Sequence, residues 1–590
     1  RTRSEFPFPG LDGERIVAAD EVGGRYVVVA TPERLLAARI GVRVRHEAGQ
    51  RLLDPVVGAV GAWDLPDEIA AVRKLASSTP DEDSLTSVLV DAAGVPWVFA
   101  VRRETTFLGA AEATFTTKPL PVPPAPIEAL LVNPRGLHAY LGTAAGRVER
   151  WSLRNPDTPK RLDDVAASGP GTAISALELL IGDQSLVVGD AAGGVSVWFP
   201  VRDASGTQVL QRIHELDGHA SRLTAIAASP RDRGFVTGDA DGIVQLHHAT
   251  TERTLLALDA GSALRHAVFA PKADGVIALD AGGTATDWSI DNPHPEVSLR
   301  TLFGKVWYEG YDEPAWVWQS TGGTDAFEPK LSLVPLAFGT MKGTLYALIF
   351  AVPLAVLAAL YTSQFSHPTV RATVKPIVEI MAALPSVVLG FLAGLWLAPQ
   401  IEDVIPAVLA ATIVIPALIF AVSLGAHEMP KTWRARLTPT VEVGLLCLLV
   451  VVGFQLSLAL NAPLEAMLFG GDFRGWLAEA GWRFDQRNNI VVGFAMGFAV
   501  IPIIFTISED ALSNVPPRLV SASLALGATR WQTALRVVLP TASPGIFSAV
   551  MIGFGRAVGE TMIVLMATGN TPVLDWSIFT GMRTLSANIA

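Results

Sequence analysis

One cysteine, Cys447, is all that 590 residues contain, which excludes an internal disulfide and any cysteine-built metal cluster. Charge is also scarce, at 17% of residues against roughly 25% in soluble proteins. The shortage is uneven. Residues 331–590 carry 14 Lys+Arg and 13 Asp+Glu, whereas residues 1–330 carry 31 and 43, an acidic net of −12. An acidic first half without clustered Lys and Arg argues against nucleic acid as a partner. No Gly-x4-Gly-Lys-Ser/Thr phosphate loop occurs, so the chain is expected to bind no ATP of its own. It opens on Arg1 without a signal peptide.

What the second half has instead is long apolar runs. A span needs about 20 mainly apolar residues. Six stretches qualify, at about 338–364, 376–398, 404–425, 440–460, 489–508 and 543–568. Positive residues favour the cytoplasmic side. Arg371 and Lys375, then Lys431, Arg434 and Arg436, then Arg518, Arg530 and Arg536 mark three alternate connections as cytoplasmic. The connection around Glu402 and Asp403 has no Lys or Arg. Residues 1–337 are therefore expected outside the cytoplasm, with an export helix before Arg1 and a returning span after Ala590 both missing from this sequence.

The first half repeats itself. Ala139–Trp151, Leu186–Trp198, Phe235–His247 and Val276–Trp288 each read strand, Asp/Ala/Gly turn, strand, and their last aromatics fall 47, 49 and 41 residues apart. Weaker copies run through Val88–Gly94 and Arg25–Ile40. With Gly218-His219 ahead of the third copy, the pattern resembles the WD-type β-propeller. Residues 1–300 are expected to form six or seven blades, a β-sandwich being the alternative. His214, His219, His247 and His248 are close in sequence, but neighbours on a strand face opposite ways, so structural histidines are expected rather than a metal site. Residues 301–337 form an aromatic connector, with Trp307, Tyr308, Tyr311, Trp316 and Trp318, suited to the membrane interface or to packing on the last blade.

Between the fifth and sixth apolar runs, 509–542 reads as a cytoplasmic loop containing Ser521-Ala-Ser-Leu-Ala-Leu-Gly-Ala-Thr-Arg-Trp531 and closing on Val537, Leu539 and Pro540. The spacing Gly527-x9-Val537-x-Leu539-Pro540 resembles the coupling loop of type I ABC importer permeases. Ser521-Ala-Ser stands where that family usually has Glu-Ala-Ala. Ala525–Trp531, Arg556-Ala-Val-Gly-Glu-Thr561 and Ala383-Leu-Pro-Ser-Val-Val388 resemble phosphate-transporter permeases of the PstC type, and the connector resembles enlarged members carrying a periplasmic domain. The resemblance implies an all-α polytopic permease fold over 338–590. It also implies that Ala525, Gly527, Ala528, Arg530, Val537, Leu539 and Pro540 contact a separate ATPase.

The partners so implied are a second permease subunit, an ATPase pair that uses the ATP, and a periplasmic phosphate-binding protein, at a bacterial inner membrane. A charge at a helix centre costs about 2.5–3.5 kcal/mol, so Arg556 and Glu560 are expected to serve a pathway. At i and i+4 they would share a helix face, Arg556 offering donors to an oxyanion and Glu560 holding the guanidinium. Thr561 and Ser386, after the helix-breaking Pro385, join them as pathway candidates. Sulfate or molybdate is the rival cargo, and a membrane-anchored docking protein is the rival class.

Overall fold

Strand-forming alternation and glycine turns build residues 18–289 into six radial sheets. They are seen in a computed structural model that describes residues 7–47, 50–79, 84–105, 111–427 and 439–590. The chain divides into two compact units, Arg1–Leu331 and Ser332–Ala590.

In the first unit each blade is an up-and-down antiparallel sheet: β1–β4 (18–64), β5–β8 (72–119), β9–β12 (127–166), β13–β16 (174–216), β17–β20 (223–259) and β21–β23 (264–289). The innermost strands β1, β5, β9, β13, β17 and β21 are successive neighbours around a central channel. Six blades settle the count that the repeat spacing left at six or seven. Five apolar cores lie between consecutive blades, holding Trp63 and Trp97, then Trp151, Trp198, Phe235 and Val276. A blade can bury its faces only against its neighbours, which is why the repeat is obligatory. The repeated turns need glycine twice over. Gly193 has φ +91°, and a Cβ there would lie 2.1 Å from the His219 carbonyl; Gly242 has φ +93°, with Ser262 backbone 2.6 Å away.

The aromatic connector belongs to this unit as far as Leu331. After helix α1 (Leu299–Phe303), Trp307 packs edge-on to Phe199, and Tyr308 is buried. Buried Arg233 straps the connector down, its guanidinium 2.6 and 2.7 Å from Glu309 and 3.8 Å from Glu328. Of the two roles open to these aromatics, packing accounts for Trp307 and Tyr308.

The second unit is helical. Its elements are α2 (Val334–Gln364), α3 (Pro368–Ala382), α4 (Ser386–Leu392), α5 (Ala398–Asp403), α6 (Ile405–His427), α7 (Pro439–Ala459), α8 (Asn461–Phe469) and α9 (Phe473–Glu479). There follow α10 (Asn489–Ser513), α11 (Pro517–Ala525), α12 (Arg530–Thr533), α13 (Leu539–Val558), α14 (Met562–Ala567) and α15 (Leu585–Ile589). Among the described residues Val334–Gln364, Ile405–Gly425, Asn489–Ser513 and Arg530–Val558 are long and apolar enough to cross a membrane, and two bent pairs bring the number to six if each is one span. The core is α2 against α10. Ala347, Ala351, Ala355 and Ala359 form a fully buried stripe at every fourth position, and Gly493 and Gly497 let α10 approach it at Tyr346 and Phe350.

Two expected spans differ in detail. The stretch 376–398 is not straight: α3 meets the segment Ser386–Asp403 at 84°. Pro385 lacks an amide donor and disfavours helix at Leu384, so the chain breaks there. The last span is shifted towards the N-terminus, running continuously from Arg530 to Val558 rather than over 543–568. Val537, Leu539 and Pro540 therefore lie inside helix, not loop. A π-turn, Ala534–Val538, precedes Pro540, and another, Ala393–Leu397, precedes Pro399. The wider turn accommodates a ring that would otherwise clash with the carbonyl one turn back. Lys431, Arg434 and Arg436 lie outside the described residues.

Candidate functional site

Four places in the membrane unit carry candidate functional side chains. The first is the break between α13 and α14. Gly390 and Gly394 of α4 and its π-turn sit against Met562–Ile563 and Met566–Ala567, where an added Cβ would come within 2.8 and 2.2 Å of backbone oxygens. The two segments therefore run side by side in the same direction over these turns. Ser386, which opens α4, and Glu560 and Thr561, which lie in the break, are half-buried, and Arg556 is exposed near the end of α13.

The structure separates Arg556 from Glu560. Helix α13 ends at Val558 with Gly559 as its cap, so the i, i+4 geometry expected of the pair does not exist. Glu560 instead accepts the Ile563 amide at 3.3 Å, in the first turn of α14. Arg556 makes no hydrogen bond or ion pair among the described residues, leaving a guanidinium exposed on a helix otherwise apolar on that stretch.

The second place is the coupling segment. Gly527, with φ +88° and open space around it, turns the chain from α11 into α12. Thr529 caps α12 and Gln532 returns the bond to the Thr529 amide, a reciprocal capping box. The turn presents an apolar knuckle: Leu526 is 89% exposed, and Leu524 and Trp531 are exposed beside it. Ala525 closes α11, Ala528 and Arg530 flank the cap, and Val537, Leu539 and Pro540 lie on the helix that follows. The Trp531 ring rests 6.0 Å from Phe365 at the end of α2.

Two groups of charged residues were visible in the sequence only as interruptions of apolar runs. Lys342, wholly buried in α2, donates to Thr580 Oγ1 at 3.0 Å, and Asn489 donates to the Thr580 carbonyl at 2.6 Å, tying residues 577–580 to α2 and α10. Glu509, 1% exposed in α10, is held by Arg371 and Lys375 of α3.

In the propeller the four histidines are buried but dispersed. His219 Nδ1 lies 3.0 Å from Asp239, and its Nε2 lies 2.7 Å from Thr237 Oγ1, which is 2.8 Å from His247 Nε2; His247 Nδ1 is 3.1 Å from Thr254. With neutral rings the donors run one way along this chain, from Thr254 through His247, Thr237 and His219 to Asp239. Burial pulls His247 down to about 3 and His248 to about 4. His248 sits apart, on Thr251, and His214 on Glu252. Among the described residues no three His, Cys, Asp or Glu side chains are placed to hold a metal ion. Burial acts the other way on two carboxyls, raising Glu178 to about 8 and Asp20 to about 6.

The helical unit is thus a bundle of membrane-length helices, two of them broken, with a glycine-hinged knuckle between the last two long spans. Residues 351–589 match the family described as the binding-protein-dependent transport system inner membrane component. The chain is 26% identical to the probable ABC transporter permease protein YqgH of Bacillus subtilis over 262 residues, 44% of this chain and 60% of that protein. It is 26% identical to the phosphate transport system permease protein PstC 1 of Mycobacterium tuberculosis over 307 residues, 52% of this chain and 68% of that one. The chain thus spans about three fifths to two thirds of these relatives. The first half is similar to the β-propeller domain of Cps50 (Swd1) from Myceliophteria thermophila, at 15% identity, 47% of this chain, 84% of that one and a TM-score of 0.34.

Proposed function

We propose that this chain is a transmembrane subunit of an ATP-driven phosphate importer of the inner membrane. Arg556 lies on the translocation pathway, with Ser386, Glu560 and Thr561 beside it. The segment from Ala525 to Pro540 receives motion from a separate ATPase pair. A second permease subunit and a periplasmic phosphate-binding protein complete the assembly, and the propeller is extracytoplasmic.

The observation that carries this reading is the Arg556 guanidinium, exposed and unpaired among the described residues of a domain whose family moves solutes. A cation there is costly unless it faces a cavity, a partner or an anion. With Glu560 engaged on α14, phosphate oxygens meet donors that no fixed carboxylate competes for, and a single contact keeps binding weak enough to release. The apolar knuckle around Leu526 suits insertion into a cleft of a partner, as a lever requires.

Arg556→Gln tests the pathway role in the reconstituted complex. Losing one charge-assisted contact of about 1.5–3 kcal/mol predicts phosphate uptake lower by about tenfold or more. Undiminished uptake at normal expression removes Arg556 from the pathway.

A further inference from the structure

Helix α3 has no fully buried residue, and neither has α11 in the coupling segment. Only Val374 and Val378 of α3 press half-buried on the core. What fastens α3 to α10 is charge. The Glu509 carboxylate is buried, with one oxygen against the Arg371 guanidinium and 2.9 Å from Ser513 Oγ, and the other 3.5 Å from Lys375 Nζ. Arg371 also donates to Ser513 Oγ at 2.7 Å, and Lys375 reaches Asp510 at 3.1 Å. Gln364, at the end of α2, donates to the Leu512 carbonyl at 3.4 Å. Every one of these contacts falls on the last turns of α10, which leads through residues 514–516 into α11.

The two sides of the cluster are unequal. Glu509 is enclosed, whereas Arg371 and Lys375 are each 40% exposed. A buried carboxylate cannot be left alone, while its cations can reach water at little cost. Oε2 of Glu509 has the Lys375 ion pair but no hydrogen-bond partner, so the grip depends on both cations being in place.

We propose that Glu509, Arg371 and Lys375 form a charge lock that fixes the root of the coupling segment to α3, so that displacement of the Leu526 knuckle moves α10 and α3 together. Glu509 is a positioning residue, and its effect on transport rests on the reading of the chain as an ATP-driven permease. Without the lock, the knuckle moves on its own and ATP is spent without transport.

Two readouts separate the lock from that reading. In the full chain in lipid nanodiscs, with Cys447→Ala, a nitroxide on Leu526→Cys reports local mobility. The isosteric Glu509→Gln is expected to sharpen its spectrum, and Glu509→Asp to leave it broad; identical spectra for Glu509→Gln and the parent overturn the lock. In the reconstituted importer, Glu509→Gln is expected to keep ATP hydrolysis while phosphate moved per ATP falls about tenfold, within the range of coupling energies between sites. Glu509→Asp is expected to restore most of it. An unchanged ratio in Glu509→Gln overturns the proposal. A parent complex that hydrolyses ATP without moving phosphate sinks the importer reading instead, leaving the spin-label result standing.

Discussion

Gly527 has φ +88° with nothing within 4 Å of where a Cβ would be, so its requirement is conformational rather than steric. Gly527→Ala is predicted to cost about 1–2 kcal/mol at the turn and to lower stimulated ATP turnover without changing expression; an unaffected turnover would show that the hinge is not used. This residue is legible in the sequence because a lone glycine between two helical patterns marks a bend. Glu560 is not. Its i+4 spacing from Arg556 implies a shared face only if the helix continues, and α13 stops at Val558. Glu509 is equally hidden. Its partners Arg371 and Lys375 lie more than 130 residues away, and nothing local announces the pairing.

Elements are held by different means in the two units. In the membrane unit the alanine stripe of α2 brings its backbone close to α10, so Ala351→Leu is predicted to overpack the interface and cost about 1–3 kcal/mol, measured as a lower midpoint of thermal unfolding in detergent. A rise or no change would mean the stripe has slack. In the fifth blade burial favours the neutral ring of His247, as it does for His248. Both stay neutral in the fold down to about pH 3–4, while the unfolded chain takes protons near pH 6.5. Stability is therefore lost as pH falls below about 6.5, by up to about 1.4 kcal/mol per pH unit for each ring.

Glu178 and Asp20 act in the opposite sense. Their folded values are raised, so the stability they contribute is present at acid pH and is lost as pH rises through about 6 for Asp20 and about 8 for Glu178. Unfolding of the full chain between pH 4 and 8 should show an optimum where these opposing slopes balance, with Glu178→Gln flattening the alkaline side. A profile that Glu178→Gln leaves unchanged would remove Glu178 from this balance.

Across the whole molecule, periodicity is the most readable signal. The hairpin repeat announces the propeller because each blade must present the same glycine turn and inward strand to its neighbour. The apolar runs announce the membrane unit because a bilayer demands length. Helix breaks read less well: Pro385 and Gly559 are visible, but whether a proline kinks a span or divides it depends on what packs alongside, here Met562 and Met566 against Gly390 and Gly394. The coupling motif is recognisable as a segment, but it is not a loop to its end, since the π-turn lets Pro540 sit within a continuous helix.

Whether this chain carries phosphate across a membrane at the expense of a partner's ATP is decided by ATP hydrolysis in the complete reconstituted complex. Phosphate-loaded binding protein is predicted to stimulate hydrolysis together with phosphate uptake, whereas sulfate and molybdate do neither, and Arg556→Gln abolishes most of the uptake. Equal stimulation by sulfate or molybdate, or hydrolysis indifferent to all three, would contradict a phosphate importer.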